Sequence, residues 1–217
     1  MEYIFIHGLG QDSSSWNDTI SSIIKPINAK KPNLFALLNN EESNYTNLYR
    51  VFSDYCETFS EPLNLCGLSL GGILALNYAI DNPEKIQSLV LIGTQYKMPK
   101  MLLKLQNIIF KIMPEFFFKK NGVQKQEFIK NFMGLMNTML ELDFSENLKD
   151  ILCDTLVICG DKDAPNKKAA EYLAQNIARA EYKILKNTGH EVNADNPVGL
   201  AAVLEAFYRR VAGNSDS

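Results

Sequence analysis

Short apolar runs alternate with helix-like segments along most of this 217-residue chain. Such alternation is typical of a parallel sheet covered by helices, because each crossover between parallel strands needs a long connection. Six runs have the length and composition of buried strands: residues 3–6, 34–38, 63–66, 88–92, 155–159 and 182–185. Helices are predicted at 16–24, 45–59, 73–80, 169–177 and 197–211, with a frayed polar tail at 212–217. The sequence therefore predicts an α/β fold with about six mostly parallel strands and helices on both faces.

The alternation stops between residues 95 and 150, where apolar residues recur only at helical spacing. One apolar stripe covers residues 101–116 and a second covers residues 129–140. Because the alternation resumes afterwards, we predict a core formed by residues 1–94 and 151–217. Residues 95–150 would form a helical cap subdomain inserted into that core.

The sequence Gly67-Leu68-Ser69-Leu70-Gly71 stands between a predicted strand and a predicted helix. A G-x-S-x-G sequence in that context is typical of a sharp, strained turn that lifts a nucleophilic serine clear of the sheet. The glycines are expected because side chains at those positions would clash across the turn. The turn also leaves Ser69 at a helix N-terminus, where exposed N–H groups favour a developing anion. Ser69 is therefore the predicted nucleophile.

A serine hydroxyl is a weak nucleophile and needs an adjacent base that a third group holds in place. The chain contains two histidines, His7 at the end of the first predicted strand and His190 in a loop after the last one. The base follows the serine in the chain order that accompanies such a turn, so His190 is the predicted base. His7 is predicted to pack within its own loop.

The acid is expected at a strand end between the serine and the base, where Gly160-Asp161-Lys162-Asp163 provides two carboxylates. Asp163 is predicted to orient His190, because the later carboxylate of such a turn points toward the edge where the other members lie. Asp161 is the alternative, and it is interpreted as a turn residue that bonds its own backbone.

An oxyanion hole needs two backbone N–H donors. The first is predicted to be the N–H of Leu70, directly after the nucleophile, and the second the N–H of Leu9 in the glycine-rich loop after the first strand. A dinucleotide-binding loop is excluded there, since the segment starting at Gly8 lacks the third glycine of G-x-G-x-x-G.

These motifs together resemble the α/β-hydrolase superfamily. The matching segments are His7-Gly8-Leu9-Gly10 followed by Trp16, Gly67 to Gly72, Gly160 to Pro165, and Gly189-His190. The resemblance covers nearly the whole chain and implies a three-layer α/β-hydrolase fold with a helical cap. Many members begin with two further strands, so it also implies a shortened sheet with an exposed edge at residues 34–38.

Carried over to this chain, the resemblance implies a serine hydrolase with a Ser69, His190 and Asp163 triad and oxyanion donors at Leu9 and Leu70. The expected activity is cleavage of a small carboxylic ester or thioester through an acyl-enzyme on Ser69, with neither a metal nor an organic cofactor. Two alternatives stay open. One is a metabolite lyase or C–C hydrolase of the same fold, and the other is a ligand-binding signalling protein that does not turn over.

The overall charge bears on partners and location. With 22 basic against 25 acidic residues and a pI of about 5.5, the chain lacks the basic surface that nucleic acid requires. No apolar run approaches the roughly 20 residues of a membrane span, and no secretory leader pattern opens the sequence. A cytoplasmic protein is therefore expected, with a small-molecule substrate, and its oligomeric state is left open.

The four cysteines stand at positions 56, 66, 153 and 159. The cysteines form no C-x-x-C pair and are predicted to be reduced core residues, with no zinc site.

Six of the seven methionines and seven of the twelve phenylalanines fall in residues 95–150, which favours a substrate with an apolar part, unless they only pack the cap onto the core. Nine lysines against six acidic residues there would attract an anionic substrate or form a solvated helix face.

Overall fold

A single parallel sheet organises the protein, and the computed structural model describes residues 1–39, 41–98 and 125–215. The sheet order is β2-β1-β3-β4-β5-β6, and every neighbouring pair is parallel. The strands are β1 Glu2–Ile6, β2 Ala29–Lys30, β3 Leu63–Leu68, β4 Ile86–Ile92, β5 Asp154–Gly160 and β6 Ala180–Leu185. The prediction of about six parallel strands is confirmed.

Helices cover both faces of this sheet. They are α1 Asn17–Ser21, α2 Leu34–Leu37, α3 Tyr45–Cys56, α4 Leu70–Asp81, α5 Lys125–Met139, α6 Ala164–Asn176, α7 Val192–Asp195 and α8 Pro197–Ser215. Side chains alternate across a strand, so Leu89 and Leu91 of β4 join one apolar core, whereas Val90 and Ile92 join the other. The first core includes α3, α4 and α6, and the second includes α8. The predicted three-layer arrangement is present.

The edge of the sheet differs from the prediction. Residues 34–38, predicted as the edge strand, fold mainly as the helix α2, and the edge strand is the two-residue β2. The Asn33 side chain accepts a hydrogen bond of 3.3 Å from the Ala36 N–H and so caps α2. Leu34 and Leu38 are both buried and stand four positions apart, on one face of a helical turn. A five-residue apolar run fits either structure, and this cap decides for helix.

The two largest differences at helix ends lie at the start of α6 and at the end of α8. Helix α6 begins at Ala164, five residues before the predicted start, because Pro165 is tolerated in a first turn. The predicted frayed tail belongs to α8 as far as Ser215. No proline follows Val211 and Gly213 does not adopt a left-handed conformation, so helical hydrogen bonding continues.

The segment predicted as a cap is described only in part. Its second stripe falls on α5, and Leu135, Met136 and Met139 of that helix are buried in the first core. The two ends of the segment pair antiparallel, with Met98 N–H donating to Leu142 O at 3.3 Å and Phe144 N–H donating to Tyr96 O at 2.9 Å. The first stripe, at 101–116, lies outside the described residues. The boundaries of the cap and core stay a prediction.

All four cysteines lie in the described residues, and each is buried and unbridged, as predicted. Cys66 and Cys159 belong to the strands β3 and β5. Burial raises the pKa of the Cys159 thiol to about 11, so this thiol stays protonated at neutral pH. These cysteines behave as small apolar core residues.

Candidate active site

Ser69 stands at the sharp turn between β3 and α4. Its backbone has φ of +51° and ψ of −112°, a conformation that costs free energy in any residue other than glycine. Two backbone hydrogen bonds hold it, from the Ser69 N–H to Ile92 O at 2.8 Å and from the Ile73 N–H to Ser69 O at 3.0 Å. The strained turn predicted for the nucleophile is therefore found, with Ser69 partly exposed at the carboxyl end of the sheet.

The glycine before this serine is needed because the turn is so tight. A Cβ atom on Gly67 would lie 2.3 Å from the carbonyl oxygen of Gly71, well inside van der Waals contact. The turn also packs closely against β1, since a Cβ atom on Gly71 would lie 2.2 Å from Ile6 O. The G-x-S-x-G spacing thus reflects close backbone approach on two sides.

Asp163 and His190 are joined directly. Asp163 follows β5, where it is the N-cap residue of α6, and His190 lies in the loop between β6 and α7. The Nδ1 atom of His190 lies 2.8 Å from Oδ2 of Asp163. The carboxylate is 3% exposed and the imidazole 41% exposed, so a buried anion supports an imidazole that solvent can reach.

This contact sets the protonation of both groups. Burial opposes the ionisation of Asp163, but hydrogen bonds from His190 and Asn166 outweigh it and hold the pKa of Asp163 below its ordinary value. The hydrogen bond to Asp163 raises the pKa of His190 against the opposing effect of burial. With Nδ1–H donating to the carboxylate, neutral His190 presents the lone pair of Nε2 to an incoming proton.

Ser69 and His190 lie on either side of the end of β4. Ser69 bonds the backbone of Ile92, and the next residue, Gly93, touches the imidazole, because a Cβ there would lie 3.0 Å from His190 Nδ1 and Cε1. Among the described residues, no hydrogen bond joins the Ser69 hydroxyl to His190. Such catalytic hydrogen bonds often form only when substrate is bound. The role of the three residues as a working triad stays a prediction.

The two predicted oxyanion donors flank the serine. Leu70 is the first residue of α4, and Leu9 lies in the loop after β1. That loop lies beside the turn, since a Cβ on Gly8 would lie 3.6 Å from the Cβ of Ser69. In the part of the chain that the structure describes, neither the Leu9 N–H nor the Leu70 N–H donates to a protein acceptor. An oxyanion hole requires unpaired donors of this kind.

His7 is placed as predicted, within its own loop. It is fully buried, its Nδ1 lies 2.9 Å from Gly8 O, and its Nε2 lies 3.1 Å from the Leu34 N. An amide N–H can only donate, so Nε2 accepts and Nδ1–H donates to the carbonyl. Burial lowers the pKa of His7 and keeps it neutral. Its ring joins the loop after β1 to the start of α2.

Asp161, the alternative acid, has a different partner. Its Oδ1 accepts a hydrogen bond of 3.0 Å from the N–H of Thr188, two residues before His190. It therefore braces the loop of His190 rather than bonding its own backbone, which corrects the prediction made for it.

Sequence reasoning missed four amide side chains around the site. Asn166 donates from Nδ2 to both carboxylate oxygens of Asp163, and Gln95 donates from Nε2 to Asn166 Oδ1. Gln11 and Asn193 exchange two hydrogen bonds of 3.1 and 3.2 Å. The signal for Asn166 was its place three residues after a carboxylate at a helix start. Nothing in the sequence pairs Gln11 with Asn193, which are 182 positions apart.

The described residues contain no group of three or more histidine, cysteine, aspartate or glutamate side chains placed to hold a metal ion. None of the described helices is long and apolar enough to cross a membrane.

The family of the chain follows from a match over most of its length. A model of the alpha/beta hydrolase family matches residues 3–203. The chain belongs to the alpha/beta hydrolase family. This alpha/beta hydrolase also resembles a thermophilic esterase from Thermogutta terrifontis, with a TM-score of 0.77 at 16% identity over 97% of this chain and 90% of the esterase. That likeness shows the fold, and it confirms the resemblance identified from the motifs.

Two curated relatives match this chain at low sequence identity. This alpha/beta hydrolase is 26% identical to monoacylglycerol lipase ABHD6 of Mus musculus over 69% of the chain and 49% of the lipase. It is 21% identical to pyrrolizixenacetamide deacetylase of Xenorhabdus hominickii over 94% of the chain and 89% of the deacetylase. The chain thus spans about half the length of the lipase relatives that it matches.

Proposed function

We propose that this alpha/beta hydrolase is a serine hydrolase that cleaves a small carboxylic ester or thioester through an acyl-enzyme on Ser69. The observation that carries the proposal is the 2.8 Å contact between His190 Nδ1 and Asp163 Oδ2 at the carboxyl end of the sheet, where the strained Ser69 also lies. The relatives named as a lipase, a deacetylase and an esterase support acyl transfer as the reaction class.

In the proposed reaction, the Oγ of Ser69 attacks the substrate carbonyl while Nε2 of His190 takes the hydroxyl proton. Asp163 stabilises the imidazolium that forms, and the N–H groups of Leu9 and Leu70 bind the negative oxygen of the tetrahedral intermediate. His190 then gives its proton to the leaving alcohol or thiol. A water molecule, deprotonated by His190, hydrolyses the acyl-enzyme and frees Ser69.

An apolar part in the substrate is the second element of the proposal. It is supported by the relatives named monoacylglycerol lipases, whose named substrates carry one acyl chain. The methionine content of the segment between β4 and β5 carries less weight, because three of its four described methionines, Met98, Met136 and Met139, are buried in the core, and Met133 is only partly exposed.

The proposal is tested with p-nitrophenyl esters of increasing acyl length. Wild-type protein should turn over, and Ser69→Ala should lower kcat by at least about 10³-fold, because the nucleophile is gone. Ser60→Ala, at an exposed serine before β3, is the matched control and should retain wild-type rates.

A fluorophosphonate probe provides a second measurement that does not depend on the choice of ester. It should label wild-type protein and Ser60→Ala, and it should not label Ser69→Ala. Equal labelling of Ser69→Ala would assign the nucleophile elsewhere. If the protein released only one equivalent of p-nitrophenol from a p-nitrophenyl ester and did not turn over, the ligand-binding alternative would be favoured instead.

A further inference from the structure

We propose that Asn166 is a positioning residue of this site, whose amide holds the Asp163 carboxylate and limits how strongly that carboxylate retains the proton of His190. The inference rests on the proposed function for its catalytic meaning. Asn166 occupies the third position of α6, and Asp163 is the N-cap residue of the same helix. The amide Nδ2 lies 2.8 Å from Asp163 Oδ1 and 2.9 Å from Oδ2.

The direction of each hydrogen bond in this network follows from the carboxylate. An ionised carboxylate only accepts hydrogen bonds, so Asn166 must turn its Nδ2 toward Asp163. The Oδ1 of Asn166 can then only accept, and it does so from Gln95 Nε2 at 2.6 Å. A chain of donors therefore runs from Gln95 through Asn166 to Asp163, and each bond polarises the next.

Asn166 and His190 compete for one oxygen. Oδ2 of Asp163 lies 2.8 Å from His190 Nδ1 and 2.9 Å from Asn166 Nδ2, and the two nitrogens lie 3.1 Å apart. When His190 Nδ1 carries its hydrogen, both nitrogens are donors converging on the same lone pairs. The amide thus lowers the negative charge that the carboxylate can offer to the imidazolium. Without the amide, Asp163 would hold the protonated His190 more strongly.

Other ionisable groups near this contact are few in the described part of the chain. Glu191 follows His190 in its loop and adds a weaker negative field. Cys159, at the end of β5, faces Asp163, but its thiol is protonated throughout the neutral range. The effect of Asn166 can therefore be separated from that of its neighbours.

The experiment uses the small number of histidines. Only His7 and His190 are present, so the imidazole signals can be assigned with one histidine variant and the titration of His190 followed directly by NMR. Asn166→Leu, which has similar size and no donor, should move the pKa of His190 upward by about half to one unit. The acid limb of kcat/KM for a p-nitrophenyl ester should move to higher pH by the same amount.

Two further variants serve as controls. Asn166→Gln keeps a donor that can reach back to the N-cap and should restore the wild-type titration. Asn176→Leu replaces an asparagine at the far end of the same helix and should leave the titration unchanged. Should Asn166→Leu fail to fold, Gln95→Leu removes the outer donor and should shift the titration in the same direction by less.

The outcomes separate this inference from the proposed function. A His190 titration unchanged in a folded Asn166→Leu, with kcat lowered equally at all pH values, would show a purely structural role and overturn the inference. A shifted titration in a protein whose Ser69 takes no fluorophosphonate would support the inference and refute the proposed function.

Discussion

At the scale of single residues, the two histidines of this chain occupy opposite environments. Burial lowers the pKa of His7, whose Nε2 accepts a backbone N–H, whereas a buried carboxylate raises the pKa of the half-exposed His190. One histidine therefore stays neutral as the pH falls, and the other binds a proton readily. The first suits a structural role and the second suits proton transfer.

The two aspartates after β5 should respond differently to loss of charge. Asp163→Asn should lower kcat by roughly 10⁴-fold, because an amide cannot stabilise the imidazolium, and should move the acid limb of kcat/KM to lower pH. Asp161→Asn keeps an oxygen that can accept from Thr188 N–H and should stay within a few fold of wild type. The measurement is the pH profile of ester hydrolysis. The reverse ranking of the two variants would assign the acid to Asp161.

Buried His7 should make the protein less stable in mild acid. Its pKa is lowered in the folded state, so unfolded chains bind the proton first as the pH falls below about 6.5. The stability that neutral His7 provides is present above that pH and is lost as the pH falls toward the folded pKa. In urea unfolding, His7→Gln should lower the free energy of unfolding by about 1–3 kcal/mol at pH 7.5. Between pH 7.5 and 5.5, the free energy of unfolding should then fall less in the variant than in the wild type. An equal fall in both proteins would contradict this account.

At the scale of elements, an amide pair fastens the loop after β1 to the helix after the candidate base. Gln11 stands two residues after Leu9, and Asn193 lies in α7, three residues after His190. Asn193 is buried, and its Nδ2 also donates to Ser15 O. The predicted oxyanion donor and the predicted base therefore share one support.

A double-mutant cycle should detect this support. Gln11→Leu and Asn193→Leu each leave a partner amide without its reciprocal bonds and should each cost about 1–3 kcal/mol in chemical denaturation. The double variant should lose about 1 kcal/mol less free energy of unfolding than the sum of the two single losses. The reason is that the second substitution removes an amide that the first has already left unpaired. Additive losses would show that the two amides act independently.

At the scale of the whole molecule, much of the architecture could be predicted from local signals. The strands β3, β4 and β5 are mostly apolar because both of their faces are buried, and Gly67 and Gly71 mark a turn too tight for side chains. The edge could not be predicted. Two residues, Ala29 and Lys30, carry no periodic signal, and a single cap from Asn33 turned the neighbouring apolar run into helix.

Some residues of the candidate site could likewise be predicted from local sequence patterns, and others could not. Ser69, Asp163 and His190 could be predicted because each lies within three residues of a glycine in a turn that follows a strand. The amide pair of Gln11 and Asn193 depends on the folded arrangement of distant segments, which no local pattern records. Asn166 could be predicted in part. Its position at the start of a helix indicates that its side chain bonds the N-cap residue, but it does not indicate which atom of that residue is bonded.

The antiparallel pairing at residues 96–98 and 142–144 brings together the points where the chain leaves the sheet after β4 and returns before β5. An excursion closed at its base can gain or lose residues without altering the distance between its ends, and each doubling of loop length costs only about 0.6 kcal/mol in closure entropy. The strand ends that carry Gly93 and Asp163 are thereby insulated from length changes in this segment. We therefore expect insertions and deletions between Met98 and α5 to leave the geometry of the candidate site unchanged, whereas α5 itself is fixed by its buried side chains.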